Sequence, residues 1–195
     1  MIVAIEMFTA FFIAMSAPFY MVYATKVIAL SEVQWGLLMF MSGLLGIMVV
    51  FPMCSIVDRI GLKKMILLGI VMVPFFIFGF RHANGFYAVA VVLCGIVLCN
   101  NIMIPAFSTL IANTVPRNRR GRLYSIIGER GISINFGNFW GGGFLIFQPA
   151  ALGALTGGYI YKMNPAYPWM ITSVALLISM ILVYLFVHEP EEAQK

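Results

Sequence analysis

One short stretch holds most of the residues in this chain that could do chemistry. The sequence CSIVDRIGLKK, residues 54–64, places one acid, three bases and a glycine between two long apolar runs. An aspartate just before a helix is stabilised by the partial positive charge of the helix's open amide groups, and a glycine permits a tight backbone turn. We therefore predict a loop at residues 58–64 between two helices. The candidate functional residues of this loop are Asp58, Arg59, Gly61 and Lys63.

The runs on both sides belong to a chain that water would solvate poorly. It has 195 residues, of which 62% are hydrophobic and only 10% are charged, so a soluble globule would lack a polar surface. We predict an integral membrane protein in contact with the lipid bilayer. The net charge of +5 does not indicate nucleic-acid binding, because the bases lie in short loops rather than along one solvated face.

Six apolar stretches are long enough to cross a bilayer as helices, which takes about 20 residues each. They are residues 2–24, 35–57, 65–80, 86–114, 138–161 and 169–187. Before the second stretch, Ser31 and Gln34 have the spacing of a capping box, which indicates a helix start. We predict an all-α fold in which residues 1–195 form a single domain, an integral membrane bundle of six transmembrane helices.

The fifth stretch is the hardest to delimit. Residues 122–161 contain no strong breaker before Pro149, yet one helix over that range would be about 60 Å long. We predict that residues 123–136 lie in the cytoplasmic interface, which keeps Glu129 and Arg130 out of lipid. The alternative is a span over residues 123–147 followed by a re-entrant piece, which would need protein cover.

The bases are distributed unevenly between the two sides of the predicted bundle. The loop after the second span holds Arg59, Lys63 and Lys64. The loop after the fourth span holds Arg117, Arg119, Arg120, Arg122 and Arg130. The opposite loops hold only Lys26, Arg81 and Lys162. Since Lys and Arg in short loops stay on the cytoplasmic side, we predict that the basic loop around Arg119, Arg120 and Arg122 and both termini are cytoplasmic.

The sequence offers no pattern typical of an enzyme or a metal site. Cys54, Cys94 and Cys99 fall inside apolar runs without metal-ligand spacing. There is no His-Glu-x-x-His motif, no Gly-x-Ser-x-Gly motif and no pair of intramembrane aspartates. We therefore predict no catalytic residue, no metal and no cofactor.

The stretch DRIGLKK resembles the loop motif between the second and third helices of the major facilitator superfamily. That motif has a glycine, an acid four positions on, a base, a glycine two further and a basic pair. The matching residues are Asp58, Arg59, Gly61 and Lys63. Cys54 stands in place of the leading glycine, and Leu62 in place of the first base of the pair. The resemblance implies that Asp58 pairs with a neighbouring helix end and latches one transporter state.

Two further stretches are similar to patterns of the same family. VPRNRRGRLYSIIG resembles its loop between the fourth and fifth helices, and GALTGGYIYKMNPAYPW resembles the end of its fifth helix. The resemblance runs from about Trp35 to Trp169. It implies secondary transport of a small-molecule substrate held at mid-depth between two six-helix halves. The chain corresponds to one half, more similar to a C-terminal one, and a second half is expected from a separate chain or a homodimer in the cell membrane.

The resemblance also selects the polar residues that could face a solute. It implies that the first and fourth helices line the pathway and that the second and fifth face the other half. Asn100 and Asn101 either line the pathway or form an interhelical hydrogen bond, and at most one is central because they point in different directions. Tyr20 either contacts solute or anchors the membrane interface. Glu6 could couple transport to protons, or it could extend to water from the helix end.

Two function classes stay open on the sequence. The first is a secondary transporter or half-transporter of a small solute. The alternative is a non-transporting membrane subunit or an inert fragment of a larger transporter. A neighbouring reading frame encoding six more spans would favour the first.

Overall fold

The computed structural model describes residues 2–114 and 144–186, which form helices and short connections. The helices are α1 (Ile2–Ser16), α2 (Tyr20–Lys26), α3 (Glu32–Ile60), α4 (Leu62–His82), α5 (Phe86–Thr114), α6 (Phe144–Met163) and α7 (Tyr167–Phe186). A 3-10 segment, Ala17–Phe19, joins α1 to α2, so these three elements form one interrupted first span. The predicted interfacial segment, residues 123–136, lies outside the described residues.

Most of these helices can cross a membrane. Five segments of the described chain are long and apolar enough: Val3–Lys26, Glu32–Val49, Leu62–His82, Phe86–Met103 and Tyr167–Phe186. Helix α6 is the sixth long element; it has 20 residues and includes Gln148 and Lys162. Over the described residues the structure confirms the all-α fold, and most of its helices have the length and composition of membrane spans.

The second span begins where its capping signal predicts. The Ser31 amide donates to Gln34 Oε1 at 2.9 Å, and the Gln34 amide donates to Ser31 Oγ at 3.2 Å. This reciprocal pair satisfies two amide groups that a helix start leaves open. Helix α3 accordingly starts at Glu32, three residues before the apolar run at Trp35.

The predicted loop at residues 58–64 is wrong in length. Helix α3 continues to Ile60 and α4 begins at Leu62, so Gly61 alone separates them. Gly61 has φ 101° and ψ 144°, a conformation that glycine adopts readily and other residues rarely do. The charged residues on both sides can remain helical because the ends of a membrane helix extend beyond the hydrocarbon core.

Helix α6 runs parallel to the first span. Gly153 and Gly157 of α6 lie directly against the carbonyl oxygens of Phe11 and Met15, so the two helices advance in the same direction and in step. The helix is continuous from Phe144 to Met163. This contradicts the alternative in which the fifth span ended at residue 147, whereas the predicted start at residue 138 lies outside the described residues.

The contacts made by the helices in the first half of the chain resemble those made by the helices in the second half. Helix α1 packs on α6 and α7, and α5 packs on α3 and α4, while α4 and α7 pack on each other. Exchanging α1 with α5, α3 with α6 and α4 with α7 reproduces the same set of contacts. An inverted repeat of three helices has this property.

Two apolar clusters mark the two ends of the bundle. The proximal end, where α1 begins, contains Ile5, Met65, Ile66, Ile70, Ala106, Leu110 and Val183. The distal end contains a larger cluster that includes Tyr23, Trp35, Phe80 and Trp169. The beginning of α1 and the end of α7 therefore lie at the same end of the bundle.

Candidate functional site

The two adjacent asparagines lie at the centre of α5. Asn100 is fourteen residues from each end of that helix. The Asn101 amide nitrogen donates to the Val97 carbonyl at 2.9 Å. A methyl group placed on Gly46 would lie 3.5 Å from that nitrogen, so Asn101 faces α3. Gly46 is itself fourteen residues from each end of α3, which puts this contact at mid-depth.

Asn100 lies on a different side of α5 from Asn101. Successive residues of a helix are about 100° apart. Cys99, one position earlier, borders the contact with α4, since its carbonyl lies 3.4 Å from a methyl group placed on Gly69. Asn100 therefore projects between the α4 contact and the α3 contact, and it is half-buried. The structure thus shows different surroundings for the two asparagines, a difference that the sequence could not reveal.

Tyr20 belongs to an aromatic cluster at the distal end. Its ring packs edge-on against Trp169 at 4.5 Å and Phe80 at 4.8 Å between centroids. Tyr23, one turn further on, packs on the same two rings, and its hydroxyl donates to the Arg81 carbonyl at 3.2 Å. These contacts give Tyr20 a packing role that neither of its predicted roles includes. Those two roles stay predictions.

Glu6 lies near the proximal end of α1, where that helix packs on α7. Its side chain is half-buried and its Oε2 atom is buried. One turn further on, the Thr9 hydroxyl donates to the Ile5 carbonyl at 2.8 Å and lies 3.1 Å from the Ser179 hydroxyl. A role of Glu6 in proton coupling stays a prediction.

The loop motif lies at the junction of α3 and α4. Asp58 and Arg59 form the last turn of α3, and the structure describes only their backbone. Lys63, in the first turn of α4, places its ammonium group 5.5 Å from the centre of the Tyr184 ring on α7. A cation at this distance is attracted by the face of the ring. The contact joins the motif to the proximal end of α7. Arg119, Arg120 and Arg122 lie outside the described residues.

The sequence missed a set of hydroxyl groups that join α7 to its neighbours. Thr172 donates to the Phe12 carbonyl at 2.8 Å, and Ser179 pairs with Thr9. Ser173 donates to the Trp169 carbonyl at 2.8 Å and lies 3.3 Å from the Pro74 carbonyl. A signal was present for two of them, because Thr172 and Ser179 are seven residues apart in an apolar run and therefore lie on one helical face, whereas Ser173 faces α4. Small hydroxyl residues on such a face indicate helix–helix contact.

Comparison with known proteins identifies the family of the chain. The model of the Major Facilitator Superfamily matches residues 2–195, nearly the whole chain. The search of curated protein sequences found no match to the chain. The sequence motifs showed a resemblance to this family only from Trp35 to Trp169. The match to the family model confirms that resemblance and extends it to nearly the whole chain. The chain is a multi-pass membrane protein that belongs to the major facilitator superfamily, a family of secondary transporters.

Proposed function

We propose that the chain forms one six-helix wall of a secondary transporter for a small solute, and that a second six-helix unit provides the other wall. Membership of the family supports transport in general. The observation that carries the finer proposal is the amide of Asn100, at the middle of α5. Transporters of this architecture hold their substrates near the middle of the bilayer, between the two repeats.

Asn100 is the better candidate for contact with solute, and Asn101 is the better candidate for a structural role. Asn101 already uses its amide nitrogen on the Val97 carbonyl and packs against α3 at Gly46. Asn100 projects between the contacts of α5 with α4 and α3. An amide in an apolar region is stabilised when it can exchange hydrogen bonds with protein, water or a polar solute. A solute at mid-depth would supply such a partner.

The second unit is expected to cover α3 and α6. Helix α3 exposes Gly36 and Gly43, and a methyl group on either would meet nothing within 4 Å. Small residues of this kind allow close approach of another helix. Helix α6 exposes Gln148 and Thr156, and an amide facing lipid is costly. Both faces are therefore better suited to protein than to lipid.

A photocrosslinking experiment tests this interface. In a variant that lacks Cys54, Cys94 and Cys99, Gly43→Cys is alkylated with benzophenone maleimide, whose photoactivated carbonyl inserts into a C–H bond of a neighbouring chain, and we expect crosslinked dimers in membranes. Val174→Cys, on an exposed face of α7, is the matched control and should form few. Gly46 is unsuitable because it packs on α5. Equal crosslinking at both positions, or none at Gly43→Cys, would contradict the proposed interface; the masses of the products distinguish a homodimer from a heterodimer.

The proposal places the protein in the cell membrane with its proximal end and both termini in the cytoplasm. The basis is the concentration of Lys and Arg on that side. Single cysteines at Lys63 and Asn118 should react with an impermeant thiol reagent only from the cytoplasmic side. One at Asn84, which is exposed at the distal end, should react only from outside. Labelling of Lys63→Cys and Asn84→Cys from the same side would rule out this topology.

We also propose that Asp58 latches one state of the transporter through the end of a neighbouring helix. A carboxylate at a helix N-terminus contributes about 0.3–2 kcal/mol, so Asp58→Asn should change transport by roughly two- to thirtyfold while expression and insertion persist. Glu32→Gln, in the exposed first turn of α3 at the distal end, is the control and should change transport little. Equal transport rates in both variants and the wild type would leave the motif with a topological role alone.

A further inference from the structure

Trp169 places a buried hydrogen-bond donor, its indole N–H, at the distal end of the bundle. The side chain is fully buried, and Nε1 has no hydrogen-bond partner within the part of the chain that the structure describes. A buried donor left without an acceptor costs about 1–3 kcal/mol, and buried tryptophans usually do find one. An acceptor that is reached in a second conformation would explain why this donor is retained.

The rings around Trp169 limit the choice of acceptor. Tyr20, Tyr23 and Phe80 pack on its ring with centroid distances of 4.5, 5.5 and 5.0 Å. Phe80 has no polar atom, and the Tyr23 hydroxyl is already bound to the Arg81 carbonyl. For the Tyr20 hydroxyl no hydrogen bond is found within residues 2–114 and 144–186. Among the three rings on Trp169, Tyr20 therefore carries the hydroxyl for which the described residues provide no partner.

Tyr20 is also the first residue beyond the break in the first span. The break is the 3-10 segment Ala17–Phe19, in which Pro18 has no amide hydrogen to donate. Before the break, α1 is held through its backbone, since Thr172 donates to the Phe12 carbonyl at 2.8 Å and Gly157 lies against the Met15 carbonyl. Such close contacts leave little freedom to move.

Beyond the break, α2 is held by side-chain contacts, namely those of the Tyr20 and Tyr23 rings and of the fully buried Ala24. The rings of Tyr20 and Tyr23 touch α4 and α7, and one side-chain hydrogen bond joins Tyr23 to α4. Aromatic pairs contribute about 0.5–1.5 kcal/mol each and tolerate several relative orientations. The two parts of the first span are therefore fixed to the bundle by contacts of different stiffness.

We propose that α2 has a second position, reached by a turn about the 3-10 segment, in which the Tyr20 hydroxyl accepts a hydrogen bond from Trp169 Nε1. The donor that is unsatisfied in one position is satisfied in the other. The hydrogen bond gained offsets part of the contact energy that α2 loses when it turns. The device rests on the packing of the distal end and does not depend on which solute is transported.

The test is nuclear magnetic resonance of the full chain in lipid nanodiscs, with ¹⁵N in the indole groups. Trp169→Phe assigns the signal by its loss. We expect two Trp169 signals, free and hydrogen-bonded, whose ratio changes with temperature. Tyr20→Phe keeps the ring and should remove the bonded signal. Tyr23→Phe is the matched control, because it changes a ring on the same tryptophan whose hydroxyl is bound elsewhere, and it should keep both signals.

Two results would overturn the proposal. One is a single free Trp169 signal in the wild type at every temperature. The other is a bonded signal that persists in Tyr20→Phe, which would assign the acceptor to a buried water molecule. Neither result depends on transport, so neither would contradict the proposal that the chain is half of a transporter.

Discussion

Gly157→Ala should make the bundle less stable than Gly158→Ala, which lies one position along the same helix. A methyl group on Gly157 would collide with the backbone carbonyl of Met15, which cannot rotate away as a side chain could. On Gly158 the nearest atom is Phe19 Cζ at 3.9 Å, an ordinary contact. Helices α1 and α6 would have to separate in the first variant, and overpacking of this kind costs about 1–3 kcal/mol.

The comparison isolates the collision from the intrinsic effect of the substitution. Replacing glycine by alanine inside a helix is favourable by about 1 kcal/mol, and this applies equally at both positions. The difference in Tm between the two variants, measured in detergent by thermal unfolding, therefore reports the close approach of α1 and α6. Gly153→Ala should behave like Gly157→Ala because its methyl group would meet the Phe11 carbonyl. Equal Tm values at residues 157 and 158 would show that the helices pack less closely.

Much of the fold could be predicted from local sequence. The fourth span was predicted at residues 86–114, and α5 has the same bounds. The capping box at Ser31 and Gln34 set the start of α3 correctly. These features depend on hydrophobicity and on contacts three residues apart, which the sequence shows directly.

The features that could not be predicted depend on where chain elements meet. Charge at residues 58–64 suggested a loop, but the helices extend until Gly61 leaves the helical conformation. The break at Ala17–Phe19 needed more than Pro18, since Pro52, Pro74 and Pro149 lie within continuous helices. Just before the break, the Phe12 carbonyl accepts a hydrogen bond from the Thr172 hydroxyl of α7 at 2.8 Å. Such partners become visible only in the folded bundle.

In the candidate site, too, the local features could be predicted from the sequence and the contacts between helices could not. The sequence identified two amides in the middle of an apolar run, and polar side chains at such a position are often functional. It could not decide between them, because the decision depends on which neighbouring helix each one faces. Gly46 on α3 supplied that information for Asn101, and the α4 contact at Cys99 supplied it for Asn100. The sequence also gave no reason to connect Tyr20 with Trp169, which is distant in the chain.

Asn100→Ala should lower transport far more than Asn101→Ala. If the Asn100 amide exchanges hydrogen bonds with solute at mid-depth, its loss removes an interaction of about 1–3 kcal/mol, or roughly 5- to 150-fold in kcat/KM. Asn101→Ala removes a bond to the Val97 carbonyl within the same helix and should lower Tm slightly while kcat/KM changes less than about twofold.

The measurement is solute uptake into proteoliposomes that contain the assembled transporter, with the solute first identified by screening uptake in cells. Asn100→Gln keeps the amide group but lengthens the side chain, so it should recover part of the activity that Asn100→Ala loses. Tm values for all three variants separate loss of transport from loss of folded protein. A larger effect of Asn101→Ala on kcat/KM, or equal effects of the two alanine variants, would remove Asn100 from the pathway, because its proposed role rests on its position between the α3 and α4 contacts.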